Sequence, residues 1–253
     1  MNQQELTETS PVNVVIPMAG EGRRFMQAGY RQPKPFIDVN GTMMIERALN
    51  SFKKLPARFV LVVPRSFLQT CHTELESLEH SYSLKIVSVP GLTPGAAVTA
   101  LAARRAVDPG TDIIFADCDN FFEPVDLENF VKDMRSRALD GGLLTCFSAE
   151  PCYSYARIDA EGRLLETREK EVISPHAICG VYYFASPGIF QEAALDMLVA
   201  NERIRGEFYL SSVYNYLKRL TSRIGIFEIK SFSCVGTPEQ LKLYLNALRA
   251  AVR

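Results

Sequence analysis

The patterned part of the chain opens on an almost wholly apolar run, Val12-Asn13-Val14-Val15-Ile16-Pro17. Similar runs recur at 59–63, Leu84–Val89 and Ile113–Ala116, each rich in β-branched, aromatic or other apolar residues. Runs of this length predict strands, and their near-continuous apolarity predicts burial on both faces. Between them, 43–53, 66–78 and 96–107 carry helical spacing. Strand alternating with helix predicts βαβ units and a parallel sheet with helices on both sides.

The second half has a different texture. Gly141–Phe147, 155–159, 164–167 and 178–185 read as strands with few helices between them. The turn residues Asp159-Ala160-Glu161-Gly162-Arg163 join two of them as a hairpin. Helical patterns return at 188–200, 209–220 and 238–252, with a late strand at 225–229. No Ser- or Pro-rich linker, repeat or low-complexity stretch divides the chain. The expected fold is therefore a Rossmann-like α/β unit spanning 1–253. Its sheet is mixed and mainly parallel, flanked by helices, with a small antiparallel extension.

Composition narrows the function. The chain has 253 residues and is 47% hydrophobic, enough for a full core. A formal net charge of -1 argues against a general nucleic-acid binder, so any anion site must be local. The six cysteines form no CxxC pair and mostly sit among apolar residues, as reduced thiols of a cytoplasmic protein do. Residues 1–10 are polar and acidic, unlike a signal peptide. No apolar run approaches the roughly 20 residues that span a bilayer, so no membrane partner is expected.

In an open α/β sheet, ligands bind beyond the carboxyl ends of the strands. The loops after Pro17, Val63, Val89 and Ala116 should therefore line one crevice. The first of these reads Met18-Ala19-Gly20-Glu21-Gly22-Arg23-Arg24-Phe25. Gly20 and Gly22 let the backbone approach a ligand closely, and successive amides there can cradle an anion. Arg23 and Arg24 add positive charge suited to phosphate oxygens. Lys34, stiffened between Pro33 and Pro35, adds a positioned cation. The loop lacks the GK[ST] ending of a Walker A motif. It also lacks the third glycine of a dinucleotide fingerprint, where Phe25 stands, and no acid follows the second strand.

The fourth loop, Ala116-Asp117-Cys118-Asp119-Asn120, puts two carboxylates at the end of a buried strand. Residues two apart share a strand face, so both can enter the crevice. Paired carboxylates beside phosphate oxygens suit Mg²⁺.

With both loops placed, the chain resembles the nucleotidylyltransferase family, the sugar-phosphate nucleotidylyltransferases or NDP-sugar pyrophosphorylases with a GT-A-like fold. It is most similar to the short branch associated with capsule and surface-polysaccharide biosynthesis. The resemblance runs from Val14 to about Leu245 and rests on the order of motifs: Gly20-x-Gly22-x-Arg24-Phe25, then Pro33-Lys34-Pro35. It implies a nucleotide-binding half at 1–140 and an acceptor-binding half at 141–253. Nucleotide contacts fall on Met18 to Arg23, on Gly95, Ala96 and Ala97 before a helix, and on Asp117. Asp119 falls in the family's magnesium position, and Asp117 offers the second carboxylate. Glu169-Lys170 is similar to the pair whose lysine meets the acceptor phosphate. Gly180 and Tyr182, Glu207 and Tyr209 resemble acceptor-side segments, and Gly236-Thr237-Pro238-Glu239 completes the pattern. One departure stands out. Many members carry an aspartate two residues before the late Gly-Thr, where this chain has Cys234. A neutral thiol is a poor magnesium ligand.

The implied reaction joins a nucleoside triphosphate to a phosphorylated small-molecule acceptor and releases pyrophosphate. A phosphate dianion is already a nucleophile, so no general base is needed, in keeping with only three histidines. The expected roles are Arg24 and the Gly20–Gly22 amides on the triphosphate, Lys34 near the α-phosphate, Asp119 on Mg²⁺ and Lys170 on the acceptor. Two alternatives share these residues. A GT-A glycosyltransferase would use Asp117-Cys118-Asp119 to bind a nucleotide sugar, and a non-catalytic nucleotide sensor would bind without turnover. The apolar stripe Leu241, Leu245 and Leu248 predicts packing or a homodimer contact.

Overall fold

The computed structural model describes residues 10–251. The polar segment 1–9 and the last residues of the expected terminal helix, including Val252, lie outside the described residues. Eleven strands form among the described residues. In chain order they are β1 (Val12–Pro17), β2 (Ala57–Pro64), β3 (Leu84–Val89), β4 (Ile113–Ala116), β5 (Asn120–Phe121), β6 (Gly141–Phe147), β7 (Ser154–Ile158), β8 (Leu164–Arg168), β9 (His176–Phe184), β10 (Ile224–Ile229) and β11 (Ser233–Cys234).

The main sheet runs β10-β6-β9-β4-β1-β2-β3. β1 lies between β2 and β4 and is parallel to both, and β2 is parallel to β3. β9 enters antiparallel between β4 and β6, and β10 closes the far edge parallel to β6. The β7–β8 hairpin is the antiparallel extension and joins through β9. A separate two-stranded piece pairs β5 with β11, with Asn120 opposite Cys234. The expected mixed α/β fold, with a parallel block flanked by helices, is the fold that forms.

Alternation along β1 builds two cores. Val12, Val14 and Ile16 face one side with Leu75, Leu78, Phe130 and Met134. Val15 faces the other with Phe115, Phe184, Phe190, Tyr214 and Leu217. Each face is covered by helices, which is why β1 is apolar at nearly every position.

Several elements differ from expectation. The expected helix 66–78 is two, Phe67–Thr70 and His72–Ser81, broken at Cys71, whose φ is -131°. The expected helix 96–107 is helical over Ala96–Leu101 and tightens to 3₁₀ over Ala102–Arg105. The helix Pro124–Ser136 was not expected at all. Proline at its first turn starts it, and Leu127, Phe130, Val131 and Met134 bury one stripe. No helix of the described residues is long and apolar enough to cross a membrane.

Candidate active site

The carboxyl ends of β1 and β4 open into a cleft of about 780 Å³. Its floor on the β1 side is Met18 and Ala19, both buried. Gly20, Glu21, Gly22, Arg23 and Arg24 rise from it as one rim. Gly22 takes the left-handed conformation, φ 63°, that starts the short helix Arg23–Gln27. Phe25 is the anchor of this loop. It is 1% exposed and packs in a third cluster with Met44, Phe121, Val235 and Leu241. The side chain that replaces the third dinucleotide glycine thus fastens the rim to the body. Arg23 pairs with Glu21, and both are at the surface.

Lys34 sits in a 3₁₀ turn, Lys34–Phe36, held by buried Pro35 and Phe36. Its ammonium donates to Asp119 Oδ2. Burial disfavours the charged lysine, but the nearby Asp119 and other acidic groups outweigh it and raise its pKa. Lys34 is therefore a fixed cation at working pH.

Both carboxylates of the fourth loop lean on glycines. Asp117 N–H donates to Gly180 O at 3.0 Å. A Cβ on Gly180 would stand 2.3 Å from Asp117 Oδ2 and 2.5 Å from Asn120 Nδ2, and φ there is +75°. A Cβ on Gly236 would stand 2.7 Å from Asp119 Oδ2. Only glycine leaves room at either place. Asp117 has its carboxyl pushed up to about 7, first by burial and then by Asp119. A cation bound beside Asp117 would relieve that rise. Among the described residues no cage of three or more His, Cys, Asp or Glu gathers. The donor set that remains, two carboxylates open to the cleft, fits Mg²⁺ completed by phosphate oxygens and water. Cys234 is also here, half-buried, its thiol pushed up to about 12 by burial and then by Asp119. It stays a neutral thiol and adds no hard ligand.

Across the cleft, Gly95 and Ala96 line the wall, but Ala97 does not. Ala97 is fully buried in the core and its N–H donates to Phe208 O at 3.1 Å. Gly95, φ 122°, lies against the Phe208 backbone, where a Cβ would meet the carbonyl at 2.4 Å. Phe208 N–H in turn donates to Pro94 O at 2.8 Å. The wall at 94–97 is thereby stitched to the segment that carries Glu207 and Tyr209.

The remaining side of the cleft holds Glu169, Lys170, Gly180, Tyr182, Glu207 and Tyr209. Lys170 has φ 54°, a conformation that costs a non-glycine residue about 1 kcal/mol. Its ammonium lies 3.6 Å from Glu169 Oε1 and 5.1 Å from the Tyr209 ring centre. Tyr182 is 7% exposed beside Asp117 and Glu169 and forms a back wall. The structure thus brings every expected site residue to one cleft, Ala97 apart, while Pro33, Pro238 and Glu239 of the motifs and the loop after Val63 lie outside its lining. It adds Tyr153, Ser154 and Gln240, which no motif marked, and Asn120, which ends the acidic-loop motif without having been given a role. Asn120 Nδ2 donates to Cys179 O at 3.0 Å while its buried Oδ1 finds no partner. Its place next to Asp119 was the one available signal. Tyr153 and Ser154, at the head of β7, carry none.

Comparison with known proteins agrees with this geometry. A family model described as the MobA-like NTP transferase domain matches residues 14–176. The bifunctional protein GlmU of Lactobacillus delbrueckii subsp. bulgaricus is 24% identical over 242 residues, covering 91% of this chain and 50% of that protein. The chain therefore spans about half the length of the curated relatives it matches. Among solved structures, the nucleoside-diphosphate-sugar pyrophosphorylase from Vibrio cholerae RC9 superposes with a TM-score of 0.79 at 26% identity, over 92% of this chain and 99% of that one. The inositol-1-phosphate CTP transferase from T. maritima shares the fold, with a TM-score of 0.74 at 16% identity over 94% of this chain and 96% of that one.

Proposed function

This chain belongs to the MobA-like NTP transferase domain family, and from that premise we propose that it transfers a nucleotidyl group from a nucleoside triphosphate to a phosphorylated small molecule, releasing pyrophosphate. The observation that carries the proposal is the contact of Lys34 with Asp119 between the glycine loop and the Glu169-Lys170 pair. One fixed cation, two acids, an amide-rich loop and a second cation share a single cleft. Such a set holds two phosphate-bearing ligands side by side and supplies no nucleophile of its own.

Placement in the cleft supports these roles. Met18 to Gly22, Arg23 and Arg24 embrace the triphosphate, with Gly95 and Ala96 against the nucleoside. Lys34 lies where charge accumulates as the α-phosphorus is attacked. Lys170 holds the acceptor phosphate, whose oxygen attacks, with Glu207, Tyr209 and Tyr182 shaping the space around it. Asp117 and Asp119 are the residues that would hold Mg²⁺, which neutralises phosphate charge when bound. Catalysis is then positioning and charge stabilisation rather than proton transfer. The acceptor class that the relatives' names support is a sugar phosphate. A nucleotide-linked sugar is an activated precursor, suited to supplying capsule or other surface polysaccharide from the cytoplasm, where triphosphates are made.

Pyrophosphate release tests the proposal. Purified protein with Mg²⁺ is given CTP, UTP, GTP, dTTP or ATP against a panel of sugar and non-sugar phosphates, with Asp119→Asn as control. Pyrophosphate from one pair, lost in the control, is the expected result. Nucleoside diphosphate released from a nucleotide sugar, with no pyrophosphate from any pair, would reject it.

A further inference from the structure

Two features that the proposed roles leave unused, Cys234 and the Gly236-Thr237-Pro238-Glu239 motif, meet at one side chain, that of Gln240. Gln240 is the third residue of the helix Pro238–Ala251 and lines the cleft with Cys234, Gly236 and Thr237. Thr237-Pro238-Glu239-Gln240 has the sequence of a capping box. In such a box the threonine hydroxyl takes the glutamine N–H, and the glutamine side chain turns back to the threonine N–H. Among the described residues only the first half forms. Gln240 N–H donates to Thr237 Oγ1 at 3.2 Å. The side-chain carbonyl Oε1 instead accepts from the Cys234 thiol at 3.7 Å.

A glutamine amide has a carbonyl that accepts and an amino group that only donates. With Oε1 held by the thiol, Nε2 is the end left over. It makes no hydrogen bond to the described residues and is not buried. The amide stands beside Asp119. A Cβ on Gly236 would meet Asp119 Oδ2 at 2.7 Å and Gln240 Oε1 at 3.6 Å, so acid and amide lie over the same glycine. Asp119 Oδ2 is taken by Lys34, and Asp119 O by the Val235 N–H at 2.9 Å. Two free donors on the wall of a cleft that gathers Arg24, Lys34 and Lys170 suit an anionic oxygen. The thiol is what leaves them free. A carboxylate at position 234 could only accept, and would draw Nε2 to itself and away from the cleft.

We propose that Gln240 Nε2 is a further phosphate-binding group of the cleft, and that Cys234 is a positioning residue that holds Gln240 in the orientation this needs. This rests on the proposed reading of the cleft as a site for phosphate-bearing ligands. Cys234 touches the glutamine rather than the ligand, and acts by fixing which end of the amide faces the cleft. At this wall the site meets phosphate directly with a neutral donor, where a carboxylate would need a cation in between.

Titration calorimetry on the full chain with Mg²⁺ tests it, without turnover. One probe is inorganic tripolyphosphate, which stands in for the nucleotide. The other is inorganic phosphate added to the tripolyphosphate complex, which stands in for the acceptor. Gln240→Met keeps the side-chain length and a good helix former but has no donor. It should weaken at least one probe about 10-fold, and the probe that falls says whether the amide meets nucleotide or acceptor. Cys234→Ala should weaken the same probe roughly threefold. Cys234→Ser, whose hydroxyl still donates to Oε1, should cost no more than about twofold. Combining Cys234→Ala with Gln240→Met should cost no more than Gln240→Met alone, because the cysteine acts only through the glutamine. Thermal midpoints should not move, which separates a lost contact from a loosened helix. If Gln240→Met fails to fold, the alanine and serine variants at Cys234 carry the same test. Unchanged binding of both probes by Gln240→Met would overturn the phosphate contact. Additive costs in the double variant, or wild-type binding by Cys234→Ala, would overturn the positioning role. Binding of neither probe by the wild-type chain would overturn this assignment together with the phosphate reading of the cleft, so the two failures are told apart.

Discussion

The two ends of the cleft are built by different physical means. At the proposed triphosphate end, the Asp117 and Asp119 carboxylates occupy space that Gly180 and Gly236 leave open and a Cβ would take. At the acceptor end, Glu169 is placed by side-chain hydrogen bonds from Ser154 and Ser211, and Lys170 by a left-handed backbone. A steric seat is rigid and tolerates no added atom. A hydrogen-bonded seat can loosen by degrees. On the proposed reading, the first serves the triphosphate and the second the acceptor.

The largest expected effect breaks the charge at the steric end. Lys34→Ala or Asp119→Asn should lower the rate of pyrophosphate release about 100- to 1,000-fold with little change in fold. Near-full turnover by Lys34→Ala would remove it from the chemistry. Gly236→Ala probes the seat itself. It keeps every charge yet displaces Asp119, and should cost roughly 100-fold in turnover, whereas Gly91→Ala, outside the cleft lining and with nothing within 4 Å of its Cβ, should cost no more than about twofold. Equal effects at the two glycines would dissolve the contrast drawn above. Gly95→Ala should act on stability, losing roughly 2–4 kcal/mol by denaturant unfolding, because its Cβ meets backbone rather than a movable side chain. At the acceptor end, Lys170→Ala should raise the acceptor KM roughly 10- to 30-fold and leave the nucleotide KM unchanged. The smallest effect belongs to Glu21→Gln. The Arg23–Glu21 pair lies at the surface, so releasing Arg23 should tighten nucleotide binding by no more than about threefold, and less at high salt.

That contrast also governs what could be read from the chain. The bounds of β1 and β4 were legible to the residue, because strands buried on both faces are apolar at nearly every position and sharply ended. The steric seats left glycines at fixed places, and so Gly180, Gly236 and the first loop were legible too. The helix Pro124–Ser136 is readable in principle from Pro124 and its buried stripe, but it was not among the expected helices. Ser154 and Ser211 left no trace. They lie 15 and 42 residues from the carboxylate they orient, and a serine in either place looks like any other. Ala97 was misplaced for a related reason: its neighbours Gly95 and Ala96 face the cleft, but a helix turns the third residue of such a run inward.

The sheet order carries a consequence for synthesis. β4 pairs with β1 on one side and β9 on the other, and β9 leaves the ribosome about 60 residues later. Until then the nascent chain presents a bare apolar strand edge, the kind of edge that recruits other chains. The interval between these two strands is thus the window in which a translating population is most exposed to aggregation. A slow stretch of codons placed there would lower the yield of native protein more than the same delay placed after β9.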